Sequence, residues 1–311
     1  MRVSPGRVFR QRGLRAVTAL SIALLCAVGC VAMDLQKATI EAFNHYVEVA
    51  EQQMRSSLRA DGPFLWIDLR PKAKRDRLYA QLRSGQFVIR QLDTYDDGRE
   101  ITIPDGMVHH WIGLAFVPGA TLKTAEAVLE DYDDYAHIYA PQVRRSRVYG
   151  RDGDRFKLYM QIYKDSPRVV SYNANFDIQR MRFGPDRIAS DSVSTRIAQL
   201  QDPAKPDGPE YPVGQDSGYL WRMNDYWRYE QKDGGVYMQV EAISLSRDVP
   251  AFLGWIVKPI IRRLARETIA DLLEANRRAI ENPQEYAPHA VESTAGSAET
   301  APAAAPASPH Q

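Results

Sequence analysis

Residues Tyr219–Asp248 read YLWRMNDYWRYEQKDGGVYMQVEAISLSRD, two runs of alternating character on either side of Asp233-Gly234. Asp-Gly is a dipeptide of two-residue type I′ hairpin loops, where both loop positions need positive φ. Closing the loop there pairs Lys232 with Gly235. The same register sets Tyr229 opposite Met238, Trp227 opposite Val240 and Met223 opposite Ser244, and on the other face Arg228 opposite Gln239 and Tyr226 opposite Glu241. One face gathers Tyr219, Trp221, Met223, Trp227, Tyr229, Met238 and Val240; the other is polar. A slip of one residue would mix the two sets, so the separation supports the register independently of the turn. Asp225 falls on the apolar face. A carboxylate facing a cavity has its pKa raised by desolvation and can serve as a general acid or base, or as a polar anchor for a ligand head. The alternatives are a bulge that turns it to solvent, or an ion pair with Arg196 or Arg222. Arg228 and Glu241 read as an ion pair on a solvent-facing surface, worth little energetically.

Upstream of the hairpin the period is also two. Phe156, Leu158, Met160 and Ile162 alternate with polar residues, as do Val170, Tyr172, Ala174, Phe176 and Ile178. A further strand is expected over about Arg187 to Ala198, followed by a Pro- and Gly-bearing loop from Asp202 to Gly218. Earlier, Val108 to Val117 reads as a strand ending at the turn Pro118-Gly119. Thr121 is an N-cap for a short helix with Leu122, Ala125, Val128 and Leu129 on its apolar side. A second short helix spans Tyr132 to Tyr139. Downstream, Leu253, Ile256, Val257, Ile260, Ile261, Leu264, Ile269, Leu272, Leu273 and Ile280 follow 3.6 spacing, which predicts a long helix over Ala251 to Glu281 broken or kinked near Pro259.

Before this block, residues 35–60 read as a helix with a thin stripe (Ala42, Val47, Val49, Met54, Leu58), and a short strand covers Phe87 to Leu92. Arg70, Lys72, Lys74, Arg75 and Arg77 form a basic run, read as a solvated face with a membrane-surface or anion patch as the alternative. No role emerges for residues 34–105. After Pro283 the chain is Ala-, Pro-, Ser- and Thr-rich and is expected to be disordered, because it cannot bury enough apolar area to offset its ordering entropy.

A strand, two short helices, about six antiparallel strands and a long carboxy-terminal helix resemble the helix-grip fold of the START-like (SRPBCC) superfamily, which includes birch-pollen-allergen, polyketide-cyclase and lipid-transfer families. HHWIGLAFVPGATL (109–122), LEDYDDYAHIYAPQV (129–143) and the hairpin text resemble secreted bacterial START-like proteins of unassigned function. The resemblance covers roughly Gly106 to Asn282. It divides the chain into a leader (1–32), a helix and lead-in (33–105), a START-like domain (106–282) and a tail (283–311). The fold class it implies is α+β, a curved antiparallel sheet of about six or seven strands wrapped around the carboxy-terminal helix. It further implies a cavity between sheet and helix that takes a hydrophobic small molecule or lipid, of lipid or polycyclic kind, for sequestration or transfer. The expected lining is the apolar hairpin face together with Val257, Ile261 and Leu264. The expected gate is Phe252, Leu253 and Trp255, at the Pro250–Pro259 end of the helix, with the Asp202–Gly218 loop; these side chains would also touch a membrane. Two other readings stand beside it. One is a cyclase- or hydrolase-type enzyme pairing Asp225 with Tyr219 or Tyr229. The other is an envelope scaffold whose own side chains fill the space.

Composition narrows the field further. In 311 residues, 40 basic side chains stand against 39 acidic ones, a formal charge of +1, so no nucleic-acid partner is expected. G-x-G, P-loop, H-E-x-x-H and G-x-S-x-G signatures are missing, and no cofactor is expected. Residues 1–15 carry five arginines and no acid. They precede the apolar run AVTALSIALLCAVG (16–29), the layout of a secretory signal and too short to span a bilayer comfortably. Ala27-Val28-Gly29-Cys30 resembles a bacterial lipobox, which would lipidate Cys30 and hold the protein in the periplasm or outer membrane. Cleavage after Ala32 is the competing reading. With only Cys26 and Cys30 in the chain, neither a disulfide framework nor a zinc site is available.

Three constellations remain. His109 and His110 are adjacent on a strand and point to opposite faces, so they cannot hold one metal together; one is expected packed and one exposed. Glu130, Asp131, Asp133, Asp134 and His137 put five donors within eight residues, but EF-hand spacing and its glycine are absent, and an exposed acidic helix junction is expected instead of a metal site. Gly214-Gln215-Asp216-Ser217-Gly218 has the wrong spacing for a serine nucleophile loop.

Overall fold

The hairpin organises the sheet. In the computed structural model, which describes residues 33–58, 62–165 and 168–286, Asp233 and Gly234 take φ of 55° and 76°, the values a type I′ loop requires. Strands β7 (Arg222–Lys232) and β8 (Gly235–Arg247) pair in the expected register, from Lys232 with Gly235 through Tyr229–Met238 and Trp227–Val240 to Met223–Ser244.

Six further strands complete the sheet: β1 (Val88–Gln91), β2 (Gly106–Pro118), β3 (Val143–Asp152), β4 (Arg155–Lys164), β5 (Val170–Arg182) and β6 (Arg187–Gln199). The order is β1-β2-β8-β7-β6-β5-β4-β3, antiparallel throughout. This is the α+β helix-grip arrangement, with eight strands where the sequence reading counts six or seven. The added strand is β1, whose Val88 and Ile89 pair with Leu114 and Gly113 of β2. β2 is buried on both faces along Trp111–Val117, which explains why its text is an apolar run without alternation.

The inner face carries the helices of residues 122–281. Thr121 caps α3 (Leu122–Glu130) by accepting from the Thr124 backbone N–H at 3.2 Å. A 3-10 turn (Tyr132–Asp134) leads into α4 (Tyr135–Ile138). The long helix α5 (Gly254–Glu281) follows a 3-10 turn at Ala251–Leu253 and runs through Pro259 as one helix, so the proline does not break it. Ile269, Leu273, Ala279 and Ile280 bury the carboxy-terminal half of α5 in the inner core. Gly113 makes that seat: a Cβ there would lie 2.9 Å from Leu273 Cδ1 and closer still to Ile269 Cγ2. Asn276, fully buried, ties the same half down. Its amide oxygen accepts from the Tyr229 hydroxyl at 3.1 Å, and its amide nitrogen donates to the Tyr139 hydroxyl at 2.9 Å.

The outer face is covered by residues 35–58 and 62–83, which overturns the expectation of a solvent-facing polar surface. Helix α1 (Lys37–Ser57) buries Phe43, Tyr46, Val47, Ala50 and Met54 against Tyr226, Ile243 and Leu245. The sequence reading of this stripe lacked Phe43 and Tyr46, its two largest members. A 3-10 turn (Trp66–Leu69) and helix α2 (Lys72–Arg83) set Phe64, Leu65, Ile67, Leu78, Tyr79 and Leu82 against Ile112, Leu114, Phe116 and Tyr237. The basic run lies on and beside the solvent side of α2, with Lys72 on Asp76 at 2.6 Å and Arg70 over the Trp66 ring. Cys26, Cys30, the leader and residues 287–311 of the tail lie outside the described residues.

Because the Gly113 seat has no room for a side chain, Gly113→Val should lower stability by about 1–3 kcal/mol through overpacking. Urea denaturation monitored by circular dichroism reads this directly; an unchanged midpoint would show that α5 does not sit on β2 at this point.

Candidate functional site

β7 is the fourth strand in from the β1 edge and presents Met223, Asp225, Trp227 and Tyr229 to the α5 side. Asp225 lies opposite Ala242 of β8 and Ser192 of β6, two small residues that leave room beside the carboxylate. Asp225 is surrounded by protein yet keeps accessible surface. Both hold at once when a group stands in a recess between sheet and helix that solvent reaches. Met160, Ser192, Met223, Ala242 and Ser244 are half-buried in the same way, although they too lie on inner-face positions of the sheet.

Across from this recess the two halves of α5 differ. The carboxy-terminal half is sealed into the core, whereas Ile256, Val257, Ile260, Ile261 and Leu264 in the amino-terminal half are only half-buried. The core under that half is therefore incomplete. Phe252 and Trp255, 76% and 78% exposed, project at its end, while Leu253 between them is buried.

The ten lining residues expected from the sequence sort into three groups. Tyr229, Met238 and Val240 have no exposed surface and Trp227 very little; they form the packed floor. Tyr219, Met223, Val257, Ile261 and Leu264 keep surface. Trp221 is a correction: it lies in the outer cluster with Phe43, Tyr226 and Leu245. It precedes the first residue of β7 and follows Gly218 at φ 71°, so strand parity does not extend to it. The Asp202–Gly218 loop is a second correction. Arg145 pairs with Asp207, Gln161 donates to the Pro206 carbonyl at 2.7 Å and Asn173 donates to Glu210 at 2.7 Å. These partners stand on outer-face positions of β3, β4 and β5, so this part of the loop is not at the α5 gate.

The electrostatics of the recess are simple. Asp225 has no hydrogen-bond or ion-pair partner among the described residues, and burial alone pushes its pKa up to about 7. The expected alternatives fail, since Arg196 is held by Glu210 and Arg222 donates to the Trp221 carbonyl at 2.8 Å. His109 is on the same face, 2.8 Å from Ser246 Oγ, and burial pushes it down to about 4, which leaves it neutral. Lys164 donates to Thr268 of α5 at 3.0 Å. Tyr139 has its pKa raised by burial, with the nearby Asp225 charge adding to the effect. Tyr229, one of the two tyrosines suggested as an acid–base partner, is committed to Asn276.

The outer-face polar residues are structural. His110 is the packed member of the histidine pair, and His109 is half-buried where an exposed partner was expected; His110 sits between Glu241 at 2.8 Å and the Tyr46 hydroxyl at 3.0 Å. Arg228 and Glu241 are buried as well. Arg228 donates to the carbonyls of Phe64 and Met54 at 2.8 and 3.2 Å, satisfying backbone groups of the covering segment. The acidic junction is spent locally: Glu130 on Arg180, Asp133 on the Val148 N–H at 2.7 Å and Asp134 on His137 at 3.2 Å. Ser217 donates to Gln199.

A raised carboxylate pKa means that the folded state holds the proton more tightly than the unfolded chain does. The contribution of Asp225 to stability is full below the unfolded value near 4 and is lost as pH rises through about 7. Asp225→Asn should therefore be more stable than the parent at pH 8 by up to roughly 4 kcal/mol and indistinguishable from it near pH 4. Paired denaturant titrations across that range measure the difference; a gain independent of pH would show that Asp225 is not a buried, unpaired carboxylate.

No protein-family model and no curated protein matches the chain. Among solved structures it is similar to a STAR-related lipid transfer protein from Xanthomonas axonopodis, with 14% identity over 62% of this chain and 98% of that one and a TM-score of 0.41. Human STARD10 is similar at 11% identity over 70% and 82% of the two chains, TM-score 0.42. The Zhui aromatase/cyclase from Streptomyces is similar at 15% identity over 57% and 96%, TM-score 0.35.

Proposed function

We propose that this protein is an exported START-like carrier that binds an apolar small molecule or lipid between the sheet and the amino-terminal half of α5, for sequestration or transfer at the cell envelope. The observation that supports this reading is the unfinished core at that end. Apolar side chains of α5 are left half-buried over inner-face residues that also keep accessible surface, whereas a chain that only needed stability would close such a gap with larger side chains. At about 25 cal/mol per Å2, a ligand covering a few hundred Å2 of this surface gains enough to offset local opening.

Exchange with a membrane is part of the proposal. Phe252 and Trp255 are exposed where α5 begins, and Lys258, Arg262 and Arg266 follow them on its solvent side. Aromatic tips with adjacent cations suit the interface of an anionic bilayer.

Two experiments test these parts separately. For binding, Ala242→Phe should abolish enhancement of an apolar naphthylamine fluorophore by the full chain without lowering the unfolding midpoint, because the ring enters empty space. A loss of about 1–3 kcal/mol of stability instead, the cost of overpacking a filled core, would favour the scaffold reading. For exchange, a Phe252→Ser/Trp255→Ser double variant should slow transfer between liposomes containing phosphatidylglycerol at least tenfold, with equilibrium binding unchanged. An unchanged transfer rate would remove the membrane contact from the proposal.

A further inference from the structure

The recess is apolar except at one point, and that point selects its ligand. Asp225 stands near the middle of the sheet, flanked by Ala242 and Ser192, with no hydrogen-bond partner among the described residues. Buried carboxylates are otherwise paired or hydrogen-bonded, since an unmet one costs several kcal/mol. On the outer face of this same sheet Glu241 has His110 and Glu230 has Arg187 and Lys232. Asp191 on the outer face also has no hydrogen-bond or ion-pair partner among the described residues, but the Arg228 and Arg55 charges act on it, whereas burial alone acts on Asp225.

Resting on the ligand-binding reading above, we propose that the ligand is an apolar body carrying a hydrogen-bond donor, a hydroxyl or an amine, which donates to Asp225 with Ser192 Oγ alongside, and that fatty acids and other anionic amphiphiles are excluded. Among the titratable groups named around the recess the cation is Lys164 at the end of β4, and Thr268 of α5 and the Asp165 and Asp271 charges already engage it. His109 on β2 is neutral and bonded to Ser246. Tyr139 after α4 and Tyr229 on β7 are neutral and meet Asn276 of α5. Above about pH 7, where Asp225 is ionised, an anionic head would stand beside it with like charge, whereas a hydroxyl or ammonium head supplies the missing bond.

The test is competition against the naphthylamine fluorophore on the full chain, with four sixteen-carbon probes that differ only at the head: hexadecanol, hexadecylamine, palmitate and methyl palmitate. Hexadecanol and hexadecylamine should each displace the fluorophore about tenfold or more better than palmitate, the worth of one hydrogen bond to a charged group. Amine binding should strengthen as pH rises through about 7, while binding of the methyl ester stays flat. If the alcohol alone is preferred, the ligand is a neutral alcohol; if the amine alone, a cation; both outcomes keep the donor requirement. Asp225→Leu should erase the preference. Asp225→Asn, which keeps the shape and one acceptor, should retain alcohol binding and lose the pH dependence of the amine. Palmitate binding as tightly as the alcohol, or a preference that survives Asp225→Leu, would overturn the donor requirement while leaving the carrier reading intact. Failure of all four probes and the fluorophore to bind would overturn the carrier reading itself and the headgroup inference with it.

Discussion

A two-residue turn divides this protein into its two sides. Because Asp233 and Gly234 occupy positive φ, the strands they join can pair in one register, and that register decides which side chains look toward α5 and which toward the amino-terminal segment. Adjacent strands inherit the choice. Ala242, Asp225 and Ser192 become neighbours across three strands on the inside, while Glu241, Tyr226 and Asp191 do so on the outside. A slip by one residue would put aromatic rings among the backbone carbonyls that Arg228 now satisfies and bring the charges under the helix.

The two faces solve the same problem in different ways. The outer face carries more charge and meets much of it with partners: Arg228 caps two carbonyls, Gln239 accepts from the Trp66 N–H at 2.6 Å, and His110 links Glu241 to Tyr46 and so to α1. Burying polar groups costs little once each has a partner, and removing one partner would cost the desolvation of the other. The inner face is mostly apolar and is closed at one end only. Gly113, Ile269, Leu273 and Asn276 lock α5 down at its carboxy-terminal half, and the amino-terminal half hangs over small residues and the Asp225 carboxylate. Stability is thus concentrated away from the recess, which is where a binding site tolerates an unfilled interior.

Much of this was legible as a chain of letters. The hairpin register, the alternation in β4 and β5, the Thr121 cap, the extent of α5 and the inward placement of Asp225 follow from local rules: turn chemistry, period-two patterning and helical spacing, each needing only a few neighbouring residues. The misreadings share a cause. Trp221 was assigned by extending strand parity past the point where the strand begins. Arg228 and Glu241 read as a solvent-facing pair because polar residues on a strand face normally look outward. The Asp202–Gly218 loop was placed by its composition, which says nothing of which face it covers.

The sequence by itself determined the strands, the long helix, the hairpin and the side of the sheet on which the carboxylate lies, since these depend on backbone preferences and periodicity that act within about a dozen residues. Only the tertiary structure decided that residues 35–58 and 62–83 cover the outer face, that α5 seats on Gly113 at one end and leaves the other end open, and that Asp225 has no hydrogen-bond or ion-pair partner among the described residues. Those facts depend on which distant segments meet. Pairing of groups more than a hundred residues apart, such as Trp66 with Gln239 or Gly113 with Ile269, is set by the summed burial of the whole chain and leaves no mark in the local text.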